Sequence, residues 1–400
     1  MYQIPSKEIL EKYAQVLVNF ALNSGKGVKK GEVVRLVVSE AAKPLYIALR
    51  DQVLISKAHP LTFYQPDDIA RGLYELSDDS QLKFFPKNLM KGLVEDIDHS
   101  ISIISETNKH ELEGIDPEKI MKKIKSGKQF KDWIDEKENN GKYTWTLALY
   151  GTQDMAKEAG ISLDSYWNQI IKACFLDEVD PISKWKQVSA ENERIRKKLN
   201  LIPAKRLHIT GSDVDLWITL GEKRQWLGGS GRNIPSFEIF TSPDWRGTHG
   251  WIRFNQPLYR YGSLISGIRL EFKNGLVTKC TASKNQDLLQ KMISVKNANK
   301  IGEFSLTDRR LSRIDKFMAE TLFDENISGP FGNTHIALGA SYVETFSGNL
   351  KTLDRKMRLN LGFNDSVIHT DIISTTDRTV VAETTTGELV QIYSKGEFTF

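Results

Sequence analysis

The segment VVRLVVSEAAKPLYIALRDQV, residues 33–53, falls into two halves of different period. Val33 to Val38 is a short, β-branched, nearly all-apolar run, the pattern of a strand. After it, Pro44 stands in a first helical turn, where its missing N–H leaves no bond unmade, and Leu45, Leu49 and Val53 recur on one side. Working outward, Leu61–Tyr64, Ile101–Ile104 and Thr144–Tyr150 read as further strands separated by helical segments. Such alternation predicts an α/β layer with a largely parallel sheet. Upstream, Leu10, Tyr13, Val16, Leu17, Phe20 and Ala21 recur at helical spacing between Ile9 and Leu22, behind a cap at Ser6. This α/β N-terminal domain is placed at residues 1–200.

The chain has 400 residues, enough for two or three domains with substantial cores. Lysine and arginine total 55 against 51 acidic residues, so the formal charge of +4 does not point to nucleic acid as a partner. Between Glu106 and Lys142 both signs of charge are interspersed, which reads as solvated helix faces rather than a phosphate-binding patch. Cys174 and Cys280 cannot build a disulfide framework, which favours a reducing compartment. The opening MYQIPSKEILEKYAQ mixes charge with apolar residues, unlike an export signal, and no stretch approaches the roughly eighteen consecutive apolar residues that span a bilayer. A cytoplasmic protein with no membrane partner is expected.

A charged helix from Trp185 to Leu199 precedes Pro203, and there the pattern changes. Val214, Leu216, Ile218 and Leu220 alternate with Asp215, Trp217 and Thr219, as in a half-buried strand. Asn274-Gly275 between Ile268–Phe272 and Leu276–Thr281 is a strong hairpin signal, and Gly387 separates a second pair, Thr379–Thr384 and Glu388–Tyr393. Helical pattern returns at Gln286–Ile293 and Arg309–Leu322. Residues 201–400 are therefore expected to form a strand-rich α+β domain.

The chain lacks a Walker-type loop, HExxH, paired CxxC motifs and a GxSxG elbow, and the Gly228-Gly229-Ser230-Gly231 cluster lacks the context of a dinucleotide fingerprint. What remains is a scatter of histidines and carboxylates after residue 200. In SVIHTDI, His369 and Asp371 project from one face if the run is a strand, which suits either an ordinary surface pair or two ligands of a borderline cation. His335 opens HIALG after a Gly- and Pro-containing loop, as a structural histidine or a ligand. Glu238 in SFEIFTS and Glu303 in IGEFSL are carboxylates inside apolar strands, facing water or a shared ion. His59, His99, His110, His208 and His249 have no partner motif and read as structural or surface groups.

The words around these residues resemble the thermophilic-type metallo-aminopeptidases, the aminopeptidase T, aminopeptidase S and PepS family. The resemblance runs through NIPSFEIFTSP (233–243), IGEFSL (301–306), TLFDEN (321–326), HIALGASY (335–342) and HTD (369–371), in the family's order, and more faintly through WTLALYGT (145–152). It implies a co-catalytic pair of divalent ions, zinc, cobalt, manganese or magnesium, held by Glu238, Glu303, Glu325, His335, His369 and Asp371, with Glu303 bridging and Tyr342 near the ions. Where the family usually has a second acid just before the first ligand, this chain has Phe237.

The implied activity is hydrolysis of the N-terminal peptide bond of short peptides by a water that the two ions activate, with no protein nucleophile. Glu303 or Glu325 would accept the water's proton, and Tyr342 would donate to the tetrahedral intermediate. The implied partners are a peptide with a free amino terminus and a second copy of the chain in a homodimer. The residues also leave open a non-catalytic protein that keeps the fold to hold a small ligand, and an amidase acting on a non-peptide C–N bond.

Overall fold

A computed structural model describes residues 5–229, 231–260 and 263–400. The reading of the opening segment therefore extends, at Met1–Ile4, outside the described residues, and that of the glycine cluster does so at Ser230. The chain divides into two compact units, Met1–Lys186 with Ser230–Pro235, and Gln187–Gly229 with Ser236–Phe400. Among the described residues no helix is long and apolar enough to cross a membrane.

The first unit is the expected parallel α/β layer. Helix α1 (Lys7–Val16) starts where the Ser6 hydroxyl accepts the Ile9 N–H, satisfying one of the free amides of a first turn. Strand β1 (Val33–Ser39) is followed by helix α2 (Lys43–Ile55), with Pro44 in the first turn and Leu45, Leu49 and Val53 buried. Strands β2 (His59–Gln65), β3 (His99–Ile104) and β4 (Thr144–Leu149) complete a sheet in the order β2-β1-β3-β4, every pairing parallel. The charge-rich region forms helices Pro117–Ser126 and Lys128–Asn139, neither with a fully buried residue. Lys128–Asp132 and Lys131–Asp135 pair one turn apart at 2.6 Å on this solvated face.

The second unit is strand-rich. Eight strands form one antiparallel sheet in the order Leu276–Thr281, Arg269–Lys273, Asp244–Arg253, Val214–Thr219, Ala204–Gly211, Arg378–Thr384, Leu389–Ser394 and Glu397–Phe398. Asn274 and Gly275, at φ of 51° and 78°, make the predicted tight hairpin. Five strands form a second antiparallel sheet in the order His369–Ser374, Asn333–Gly339, Ile301–Thr307, Glu238–Thr241 and Leu227–Gly228. Leu216, Ile218 and Ile252 of the first sheet share one core with Ile239, Phe304, Leu306, Ile336 and Ile372 of the second. Sheet packs on sheet, and alternate residues of each strand are committed to the interior.

One predicted element is absent. Arg309–Leu322 is not a helix; only Thr321–Asp324 is helical. The Asp324 carboxylate accepts the N–H of Met318 at 2.7 Å and of Glu320 at 3.0 Å, Ser328 donates to the Ile314 carbonyl at 2.9 Å, and Ala319 takes φ 51°. These non-helical bonds satisfy the backbone while Ile314 and Met318 are still buried, so tertiary contacts override the local period.

Candidate metal centre

Register in the five-stranded sheet fixes which side chains share a face. Glu303 lies opposite Ala337, which lies opposite Asp371; Ser305 lies opposite His335, Thr307 opposite Glu238, and Gly339 opposite His369. Partners across a ladder project from the same side, as do residues two apart. Glu238, Glu303, His335, His369 and Asp371 therefore stand together on one face, and Phe304, Leu306, Ile336 and Leu338 enter the core from the other. The polar face is not given to water: every residue of Ile301–Thr307 and Asn333–Gly339 is buried. Ala337, between Glu303 and Asp371, puts only a methyl group on the floor between two carboxylates.

His335 Nε2 is 3.3 Å from Glu238 Oε2 and 3.5 Å from Glu303 Oε1, and His369 Nε2 is 3.4 Å from Glu303 Oε2 and 3.2 Å from Asp371 Oδ1. Two sets result, Glu238–Glu303–His335 and Glu303–His369–Asp371, each with one ligand atom per residue within 4.8 Å of the others. Glu303 belongs to both and turns one oxygen to each histidine.

The other ring nitrogens fix the tautomers. His369 Nδ1 donates to the Ala340 carbonyl at 2.9 Å, since a carbonyl can only accept. His335 Nδ1 is 3.3 Å from Asn333 Oδ1, and the Asn333 amide is oriented by its nitrogen donating to the Glu325 carbonyl at 3.0 Å, so His335 also donates through Nδ1. In the neutral imidazoles both Nε2 atoms then carry lone pairs aimed at carboxylate oxygens, an arrangement that a proton or a cation must reconcile. His335 Nε2 is buried and makes no hydrogen bond among the described residues. Two imidazoles oriented by carbonyl acceptors, with carboxylates around them, fit a divalent cation of borderline hardness.

Burial pushes the Glu238 carboxyl above its usual range, His335 opposes that, and Glu303 adds to it. Burial, then the charges of Glu238, Asp371 and Glu303, push Glu325 well up. Burial works against protonation of His335 and His369, but the facing carboxylates outweigh it and hold both well above the ordinary imidazole value. Asp371 goes the other way: despite burial, His369, His335 and Arg260 bring it down to about 2. Neighbouring groups thus shift in opposite directions because negative charge outnumbers positive in a dry pocket, and a bound dication would reverse the upward shifts.

Glu325 follows the short helix Thr321–Asp324 and is 8% exposed. Tyr342 follows the His335 strand; its ring lies 4.7 Å from that of His369 and 5.5 Å from that of Phe240, and its N–H donates to Ser242 Oγ at 2.8 Å. Tyr342 is 43% exposed, and partial loss of water around its ring, then the charges of Glu303 and Asp371, raise its hydroxyl pKa, so it stays a donor. Phe237 is fully buried, its N–H donating to Asn326 Oδ1 at 2.6 Å. Three residues escaped the motif reading: Ser305, whose hydroxyl donates to Glu238 Oε2 at 2.9 Å, Asn333 and Ala337. Each lies at an even spacing from a candidate ligand, a signal that period-two counting could have used. The remaining histidines lie elsewhere: His99 meets Glu32 at 2.9 Å, His208 meets Asp215 at 2.8 Å and stacks on Trp217, and His59 is exposed.

A family model described as thermophilic metalloprotease (M29) matches residues 6–398. The chain is 27% identical to aminopeptidase PepS of Streptococcus thermophilus over 391 residues, 92% of each chain. It is 26% identical to aminopeptidase AmpS of Bacillus subtilis over 98% of each, and 26% identical to aminopeptidase T of Thermus thermophilus over 91% of this chain and 92% of that one. The solved structure of wild-type AmpT from Thermus thermophilus shares the fold, with a TM-score of 0.83, 23% identity and coverage of 98% of this chain and 100% of that one.

Proposed function

The chain belongs to the thermophilic metalloprotease (M29) family and is a metallo-aminopeptidase, and from that premise we propose that it removes the first residue of short peptides at a pair of divalent cations. The observation that supports a pair is the split of Glu303, with Oε1 3.5 Å from His335 and Oε2 3.4 Å from His369. Glu238 and His335 would hold one cation, His369 and Asp371 the other, with Glu303 between them and Glu325 supplying a further oxygen. Two such ions, when bound, lower the pKa of water to about 7 and polarise the scissile carbonyl, so no serine or cysteine nucleophile is required.

Glu303 has an oxygen committed to each set, so Glu325 is our assignment for the group that accepts the proton of the attacking water. The Tyr342 hydroxyl donates to the carbonyl oxygen as negative charge builds on it. The free α-amino group of the substrate is held at the carboxylates, which confines cleavage to the first bond. The imidazole and carboxylate donors suit zinc, cobalt or manganese and accept magnesium. A homodimer and a cytoplasmic setting belong to the same proposal; Cys174 and Cys280 are both free thiols, as a reducing compartment requires. Light scattering on the purified protein tests the dimer.

The deciding experiment is chelation followed by return of single ions, assayed on aminoacyl chromogenic substrates and on their amino-blocked forms. Activity should vanish on chelation, return with a divalent ion and be confined to the unblocked series. Equal cleavage of both series would refute the exopeptidase assignment.

A further inference from the structure

The first unit contains a cavity that peptide hydrolysis leaves unused. In the order β2-β1-β3-β4 the chain leaves β1 toward one edge and β3 toward the other, so the winding reverses between β1 and β3. Ligands of open parallel sheets sit beyond the carboxyl ends of the strands at such a reversal. Here that position is a cavity of about 390 Å³, walled by Ala41 after β1, Thr107 after β3, Tyr150 and Asp154 after β4, and Leu163 and Trp167 of the helix Leu163–Ala173. Its size falls in the range of small-molecule sites, roughly 300–1,000 Å³.

The walls select among ligands. Among the described residues no lysine, arginine or histidine lines the cavity. The backbone N–H of Ala41, ahead of α2, where an anion would be welcomed, already donates to Asp67 Oδ2 at 2.8 Å. Asp154, whose carboxylate lines the cavity, accepts the N–H of Lys109 through Oδ2 at 2.8 Å. Phosphates and carboxylates are repelled here. Trp167 commits its only donor to the Gly151 carbonyl at 3.1 Å and packs edge-to-face with Tyr150 at 4.9 Å, which leaves aromatic surface rather than hydrogen bonds to offer. Tyr150 is 6% exposed. An aromatic wall beside a carboxylate suits a cation with an apolar body.

We propose that this cavity binds a small primary amine, its ammonium at Asp154 and its aromatic or aliphatic body against Trp167 and Leu163. The site belongs to the first unit and does not depend on how the metal centre works.

Titration calorimetry of the metal-loaded protein with 2-phenylethylamine, which has no bond for a peptidase to cut, tests the proposal. The wild type should bind it, while Asp154→Asn and Leu163→Trp, one removing the charge and one filling the space, each weaken that event by about tenfold or more. Any binding at the metal centre stays unchanged in both variants, and peptidase activity within about twofold of wild type certifies that they fold. Neither 3-phenylpropanoate nor AMP should bind on the wild type, an arm that needs no variant. Binding of the amine without L-phenylalanine, whose carboxylate has no cation to meet in this cavity, supports the proposal, and binding of L-phenylalanine as tight as that of the amine would overturn it. Absence of amine binding, equal affinity in both variants, or tighter binding of AMP would each overturn the proposal.

Discussion

His110 in the first unit and His335 in the second each face two glutamates at similar range. His110 has Glu113 at 3.5 Å and Glu158 at 3.2 Å; His335 has Glu238 at 3.3 Å and Glu303 at 3.5 Å. Their surroundings differ: the His110 side chain is 39% exposed and that of His335 1%. Around His110, water and salt screen the charges, and such a contact contributes about 0–1 kcal/mol. Around His335 the carboxylates have lost their hydration, and leaving them unneutralised costs several kcal/mol per ion. The same residue types at the same distances thus make a surface contact in one unit and a candidate cation site in the other. Desolvation decides, not composition.

The largest effect that would sharpen this contrast comes from the ligands. Glu303→Ala should lose both ions and at least about a thousandfold in kcat/KM, equivalent to about 4 kcal/mol of transition-state stabilisation, and His110→Ala should lose neither. Elemental analysis beside kinetics checks both, and full metal occupancy in Glu303→Ala would break the comparison.

Charge in the chelated protein should make its stability depend on pH. The raised His335 and His369 values mean that their stabilisation is complete below the unfolded imidazole pKa of about 6.5 and is lost as pH rises through the folded values. Raised Glu238 and Glu325 act in the same sense: their contribution is complete below the unfolded carboxyl value of about 4.3 and fades as pH climbs through the folded ones. Asp371, held down at about 2, contributes stability above about pH 3.9 that is lost on acidification. The difference in Tm between metal-loaded and chelated protein should therefore widen from pH 6 to pH 9; a constant difference would contradict the electrostatic account.

Tyr342→Phe should lower kcat about tenfold, near 1.4 kcal/mol, with little change in KM; a change within about twofold would remove the hydroxyl from the transition state. Ser305→Ala should weaken metal affinity by about tenfold through a less firmly held Glu238, read by competition with a chromophoric chelator. The smallest effect belongs to the solvated face: Lys131→Ala should cost no more than about 0.5 kcal/mol in chemical denaturation.

Much of the architecture was legible because it rests on local signals. Pro44 ahead of Leu45, Leu49 and Val53 marks α2, and Asn274-Gly275 needs no distant partner to make its turn. Arg309–Leu322 misled because its helical period was real but its backbone bonds go to Asp324 and Ser328 instead. The candidate metal centre was half legible. His369 and Asp371 share a face by spacing alone, but that Glu238 and Glu303 would be dry depends on a register spread from residue 238 to residue 374, which one strand cannot announce. Motif likeness alone proposes Glu325 and Tyr342, which no periodicity singles out, and Glu325 belongs to neither of the two ligand sets. Ser305 and Asn333 went unnoticed because a serine or an asparagine in a strand carries no chemical alarm until the neighbour it orients is known.

Between the carboxylates of Glu303 and Asp371 stands the single methyl of Ala337. Affinity belongs to oxygens and nitrogens, but admission belongs to that methyl: a longer side chain would occupy the gap while every donor atom kept its place on its strand. One apolar enlargement could silence such a protein and leave its architecture whole. Among chains of this shape, competence is to be read at a residue that donates nothing.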